Sequence, residues 1–255
     1  MNRLRVKTRR TAFYLREYFF PFGCTVCGKV LIGTSESLYG LCESCMDEID
    51  RMIGNRRSRS CCDYCGKPLI SEADRCLSCR NGEGWMYDRA AVLFPYMGKY
   101  RKLLTSYKFK KNIALGNYFA SKIIDEMKYL IISNEICSVQ GASIVPVPPR
   151  PGKIRENGWD QVEYLARLLE RADKKSDGLT VNRCLRRLPS QSQKELGLEN
   201  RLTNLKGRIV PVRSVPKVAV VLDDVMTTGS TLNACASALK KAGTETVYGL
   251  CLFYD

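Results

Sequence analysis

At 255 residues the chain has room for one domain with a full core and a small appended module, and is too short for two full-sized domains. Its 41 Lys and Arg against 26 Asp and Glu give a formal charge of +15, which favours a polyanionic partner without choosing among nucleotides, diphosphates and nucleic acids. Histidine is absent, which excludes Ser-His and Cys-His nucleophiles, imidazole bases and histidine metal ligands, and leaves carboxylates, cations, backbone dipoles or a metal to carry any chemistry.

Residues 1 to 20 read as a basic arm (Arg3, Arg5, Lys7, Arg9, Arg10, Arg16) running into a short amphipathic helix with Phe13, Tyr14, Leu15, Tyr18, Phe19 and Phe20. Pro21 and Gly23 stop it. Such an arm suits nucleic acid or a membrane surface, or else a helix packed on the next module with a charged, fraying end. Neither an uncharged apolar region nor a small-residue cleavage site follows the Arg9-Arg10 pair, so an export signal is rejected. No run reaches the roughly 18 apolar residues of a membrane span, so no membrane span is expected.

Residues 21 to 85 hold four CxxC pairs: Cys24 and Cys27, Cys42 and Cys45, Cys62 and Cys65, Cys76 and Cys79. A CxxC turn lets two thiolates converge on one ion, and a second pair ten to fifteen or so residues on closes a tetrahedral shell. Structural Zn2+, one or two ions, is therefore expected to staple a segment too poor in apolar residues to build a core unaided. Gly28 and Gly66 follow two of the pairs, as knuckle turns favour. Spacing leaves open which pairs share an ion, and whether Cys61 replaces Cys62. Paired thiols that bind metal point to a reducing, cytoplasmic setting rather than to a secreted disulfide framework.

From about residue 86 to 255 the pattern changes to alternating strand-like and helix-like stretches. RAAVLFPYMG suggests a strand pair, LLTSYKFKKNIALGNYFASKIIDEMKYLI carries helical spacing, ASIVPVPP reads as a strand and DQVEYLARLLERA as a helix. A polar stretch from Arg186 to Lys206 precedes KVAVVLDD (strand), STLNACASALKKAG (helix) and TVYGLCLFY (strand). The expected fold is α/β with a mainly parallel sheet. Cys137, Cys184, Cys235 and Cys251 lie in apolar surroundings and read as small buried hydrophobes.

Val218 to Leu222 is a near-continuous apolar run, as expected of a strand buried on both faces, and Asp223 and Asp224 are read as ending it. Thr227, Thr228, Gly229, Ser230 and Thr231 follow, with a helix starting near Thr231. Hydroxyls and helix-start amides together make a phosphate cradle, and two acids a few residues away suit a ribose diol on the same ligand. The loop is no Walker A motif, since no lysine follows its glycine. A plain capped turn would explain TTGST but not two successive aspartates after a buried strand.

VVLDDVMTTGST resembles the phosphoribosyl-diphosphate motif of type I phosphoribosyltransferases. With FPFGCTVCG, LTSYKFKKN, IVPVPPRPGKIRENGWDQVEYLA and QSQKELGLENRLTNLKG, nearly the whole chain resembles the ComF family, which joins an N-terminal cysteine cluster to a phosphoribosyltransferase domain. The resemblance implies that Asp223 and Asp224 hold ribose hydroxyls and that Thr227 to Thr231 hold the 5′-phosphate. It also implies that Arg150, Lys153 and Arg155 meet the diphosphate and its Mg2+, and that Gln193 and Arg201 sit in a mobile loop closing over the reaction centre. Asp160 stands where the family usually has Asn, adding a negative charge beside Gly158, Trp159 and Gln161.

The implied reaction is departure of diphosphate from ribose C1 while a nucleobase nitrogen attacks from the opposite face, in a protein linked to DNA uptake or to nucleotide metabolism. Two other readings fit the residues: a non-catalytic single-stranded DNA-binding competence factor using the basic arm and cysteine module, and a nucleotide-sensing regulator.

Overall fold

The structure is a computed structural model that describes residues 22–57, 60–70, 74–81, 85–133, 142–173, 180–189 and 207–255. The basic arm of residues 1 to 20 lies outside the described residues, as do Gln193, Arg201 and Cys137.

In chain order, α1 (Thr34–Tyr39), α2 (Glu43–Arg57) and the four-residue α3 (Leu77–Arg80) belong to the cysteine-rich segment. Next come β1 (Arg89–Pro95), α4 (Gly98–Lys110), α5 (Ile113–Ile132), β2 (Ala142–Pro146), α6 (Lys153–Asn157), α7 (Gln161–Asp173) and β3 (Thr180–Val181). The chain closes with β4 (Leu185–Arg187), β5 (Ile209–Pro211), β6 (Val218–Met226), α8 (Ser230–Lys241) and β7 (Thr246–Tyr254).

Five strands form one parallel sheet in the order β1-β7-β6-β2-β3, the α/β architecture expected from the alternation. β6, β2 and β7 are buried along almost their whole length, as central parallel strands covered on both faces must be. Alternate residues feed two cores. Ala91, Leu93, Ile144, Val220, Leu222, Leu250 and Leu252 face one side, Ala90, Val92, Val145, Ala219, Val221 and Cys251 the other. The first face is covered by α5, through Leu115, Phe119, Ile123 and Met127, and by α7, through Val162, Leu165, Ala166 and Leu169, each a stripe at helical spacing. The second face is covered by α8, through Leu232, Cys235, Ala236 and Leu239. Cys184, Cys235 and Cys251 are fully buried among these groups, as expected of small hydrophobes.

Three readings of the sequence need correction. RAAVLFPYMG makes one strand rather than a pair, because Gly98 already opens α4. The long helical stretch is two helices, broken where Lys111 takes a left-handed conformation (φ 52°) and Asn112 starts α5. The two aspartates do not end their strand, which runs through them to Met226. A short antiparallel ribbon, β4 with β5, brackets the polar stretch, so Arg186 is a strand residue.

Candidate functional site

β2 stops pairing with β6 at Pro146 opposite Leu222, whereas β6 stays paired with β7 as far as Met226. Asp223 and Asp224 therefore sit where β6 has lost its β2 neighbour, and the chain leaving β2 there is the VPPRPGK loop. From β2 the chain runs outward to β3, and from β6 it runs the opposite way to β7. Reversal of this kind opens a crevice at the carboxyl ends of two neighbouring strands, the usual ligand position in open α/β sheets.

Adjacent residues of a strand point to opposite faces, and the two acids have correspondingly different surroundings. Asp224 turns to the α4 and α7 side: its Oδ2 accepts from Gln161 Nε2 at 2.6 Å and lies 3.0 Å from Lys108 Nζ. Asp223 Oδ1 accepts from the backbone N–H of Asp224 at 2.8 Å. The side chains are buried, with residue exposures of 8% and 6%. For Asp223, desolvation and the neighbouring Asp224 charge push the carboxyl well above the usual carboxylate range. For Asp224 burial acts the same way, but the Lys108 ammonium and the Gln161 hydrogen bond outweigh it and hold the group below its ordinary value. Asp224 is thus the more acidic member of the pair and the one that ionises first.

The loop after β6 reaches α8 through Gly229, which takes a left-handed conformation (φ 73°). A side chain there would also meet Tyr87 Oη at 3.0 Å and Trp85 at 3.1 Å, so glycine is required twice over. The Thr228 hydroxyl donates to Ser230 Oγ at 3.1 Å and accepts the Ser230 N–H at 3.4 Å, while the N-cap residue, Gly229, has no side chain to cap α8. The helix start, at Ser230, leaves backbone N–H groups beside the exposed Thr227 and Thr228, as a phosphate cradle needs.

On the β2 side, Lys153 Nζ bonds Asp160 Oδ2 at 2.5 Å and Gln161 Oε1 at 2.7 Å. Asp160 Oδ1 accepts the N–H groups of Val162 and Glu163 at the start of α7, so the carboxylate that departs from the family pattern is an N-cap neutralised by Lys153. Arg150 is 57% exposed and pairs with Glu156 at 2.8 Å, and Arg155 is exposed on α6. The structure thus joins Lys153 to Asp224 through Gln161, and leaves Arg150 exposed on the loop and Arg155 exposed on α6. Lys108 and the bridging role of Gln161 were not singled out from sequence. LTSYKFKKN marks the stretch holding Lys108, but only the tertiary fold brings it to the acids.

The eight cysteines form two groups, Cys24, Cys27, Cys42 and Cys45, and Cys62, Cys65, Cys76 and Cys79, with ligand atoms within 4.8 Å of one another in each. Successive pairs share a group, and Cys61 stays outside, its thiol reaching Arg56 O at 3.7 Å. A tetrahedral Zn–S shell requires sulfurs about 3.8 Å apart. The Sγ separations of 3.6 Å (Cys27 to Cys42) and 3.7 Å (Cys65 to Cys76) fit it, so each group could hold a zinc ion. Burial opposes ionisation of Cys24 and Cys62. Yet backbone N–H groups of Cys27, Cys42 and Val26 in one group, and of Cys65, Cys76 and Tyr64 in the other, bring each thiol down to about 7. Beneath the second group a cavity of about 1190 Å³ runs along α8 from Thr227 to Lys241; its walls include Trp85, Tyr87 and Ser237 but neither aspartate. The hydroxyl-lined turn of Thr227, Thr228 and Ser230 forms one end of this cavity, whereas Asp224, Lys108, Gln161 and Lys153 meet on the β2–β6 side.

The fold is α/β with a mainly parallel sheet of the type I phosphoribosyltransferase kind, and it carries two N-terminal four-cysteine groups. No family model matches the chain. It is 28% identical over 239 residues to "Competence protein F" of Haemophilus influenzae, covering 90% of this chain and 95% of that protein. To "Competence protein ComFC" of Streptococcus pneumoniae it is 28% identical over 236 residues, covering 88% and 96%. With similarity to both over nearly their full length and both cysteine groups in place, the chain is similar to the ComF family of competence proteins. Among the described residues no helix is long and apolar enough to cross a membrane.

Proposed function

We propose that the protein binds phosphoribosyl diphosphate with Mg2+ in the β2–β6 crevice and transfers the phosphoribosyl group, in a competence-related role like that named for its relatives. What supports this reading is the end of β6, where two buried acids of unequal acidity are followed within a few residues by the hydroxyl-lined start of α8, and where Gln161 links Asp224 to Lys153 of the β2 loop.

Asp224, with Asp223 beside it, receives the ribose 2′- and 3′-hydroxyls, and Thr227 to Thr231 hold the 5′-phosphate on hydroxyls and backbone N–H groups. Lys153 swings from Asp160 and Gln161 to the diphosphate, joined by Arg150 from the loop and Arg155 from α6. As the C1–O bond breaks, these cations stabilise the charge gathering on the leaving diphosphate. Mg2+, when bound with the diphosphate, supplies further charge neutralisation. A nucleobase nitrogen is the acceptor, and Gln193 and Arg201 belong to the segment that closes over the centre. The two four-cysteine groups hold structural Zn2+.

Diphosphate release from Mg2+ and phosphoribosyl diphosphate, assayed against a panel of bases, tests the proposal. Release that disappears in Asp224→Asn supports it, and silence with every base removes the transferase reading. The +15 charge favours a second reading, single-stranded DNA binding. That reading predicts an affinity that falls steeply with salt and survives Asp224→Asn.

A further inference from the structure

Lys108 comes from a helix outside the strand-loop-helix unit that carries the acids, yet it is the cation in direct contact with Asp224. It is held there from several sides. The neighbouring Tyr107 is fully buried, and its hydroxyl donates to Gln161 O at 2.7 Å. Just past α4, Lys111 Nζ donates to Asn157 O at 2.6 Å. Asn112 Nδ2 donates to Thr25 Oγ1 at 3.2 Å, inside the first cysteine knuckle, and Thr25 in turn donates to Gly40 O at 3.0 Å. The end of α4 is thus clamped to α6, to α7 and to the first cysteine group, and this clamp delivers the ammonium to a carboxylate that is almost fully buried.

A carboxylate this deep keeps its charge only with a paired cation and hydrogen-bond donors. The groups facing it are Lys108 from α4, the neutral Gln161 from α7 with the Lys153–Asp160 pair behind it, Asp223 on its own strand, the Tyr107 hydroxyl, and Cys251 on β7. Among these described residues only Lys108 puts a positive charge directly on it; Lys153 reaches it through Gln161.

Resting on the ribose-site reading above, we infer that Lys108 is a positioning residue of that site: its ammonium, 3.0 Å from Oδ2, holds Asp224 oriented and ionised as the acceptor for a sugar diol. The helix before the core α/β unit, and through it the first cysteine group, is then part of the sugar site.

The test uses the full-length, zinc-loaded protein labelled with 13C at the aspartate carboxyls, with the two resonances assigned by Asp223→Asn and Asp224→Asn. In Lys108→Met the Asp224 titration midpoint rises by about three pH units or more, as for a buried carboxyl without its cation, and Lys108→Arg returns it toward the wild-type position. By calorimetry, Mg2+-phosphoribosyl diphosphate binds Lys108→Met about ten-fold more weakly at pH 6, the gap narrowing to under about three-fold at pH 8 as the carboxylate ionises unaided. If Lys108→Met does not fold, Lys108→Gln takes its place. A carboxyl titration that the substitution leaves unmoved overturns the inference, and so does a ligand affinity lost equally at both pH values. Absence of ligand binding in the wild type would instead remove the ribose-site reading, while the carboxyl titration still decides the role of Lys108.

Discussion

The two cysteine groups are built alike and used differently. Both start from a knuckle with a left-handed glycine, Gly28 or Gly66, and both pull one thiol down to about 7 by backbone N–H donation. The first belongs to the core on the α5–α7 face: Cys45 heads the same stripe of α2 that buries Ile49 and Ile53, and α2 ends in a buried ion pair of Arg56 and Arg57 with Glu126 on α5. The second adjoins the opposite face, next to the cavity along α8, with only the four-residue α3. Its knuckle rests on the sheet edge, where Ala90 N–H donates to Tyr64 O at 2.7 Å. One motif thus serves as a core element on one side and as a brace on the other. What surrounds a cysteine group decides what its loss does.

The largest effect should come from breaking the first group. Cys45→Ser removes a metal shell worth on the order of 10 kcal/mol and undocks α2, so soluble yield should collapse. Cys79→Ser should leave a folded sheet with one zinc per chain in place of two, read by metal analysis and circular dichroism. Equal collapse of both variants would erase the distinction. Glu126→Gln tests the same clamp without touching a ligand. It leaves Arg56 buried without its countercharge and should cost about 3–5 kcal/mol, measured by denaturant unfolding.

Gly66→Ala sharpens the comparison from the other side. An added Cβ would lie 2.4 Å from Ala90 O, on a backbone at φ 67°, so a loss of at least about 1–3 kcal/mol is expected, with zinc retained in the first group. The smallest effect concerns pH. Asp223 holds its proton more tightly folded than unfolded, so it costs stability increasingly as pH rises from the ordinary carboxylate range toward its raised folded value. Asp224 runs oppositely: its contribution is present above the ordinary value and is lost as pH falls through its lowered folded value. Asp223→Asn should therefore raise Tm slightly at pH 8 relative to wild type, and less at pH 5.

Much of this was legible in the sequence because the signals were local. CxxC spacing declared the cysteine groups, and VVLDDVMTTGST placed two acids and a hydroxyl-lined turn at one end of a buried strand. Spacing could not say which pairs share an ion, since that depends on how each knuckle packs, and the structure joins successive pairs. Nor could it reveal that β6 outruns β2, the mismatch of strand lengths that opens the crevice between Pro146 and the aspartates. Asp160 read as an added charge on the diphosphate loop because its partners, Lys153 and the α7 amides, are set by a helix start rather than by the motif. Lys108 was hidden for the same reason: only folding brings α4 to the acid pair.

The most direct test is a crystal structure of the protein soaked with Mg2+ and phosphoribosyl diphosphate. The account predicts density for the ribose diol within hydrogen-bond distance of Asp224, with the 5′-phosphate on the Thr227–Thr231 turn at the start of α8. A fully occupied ligand with its sugar on the Trp85 and Ser237 walls of the cavity along α8, and neither aspartate in contact with it, would contradict it.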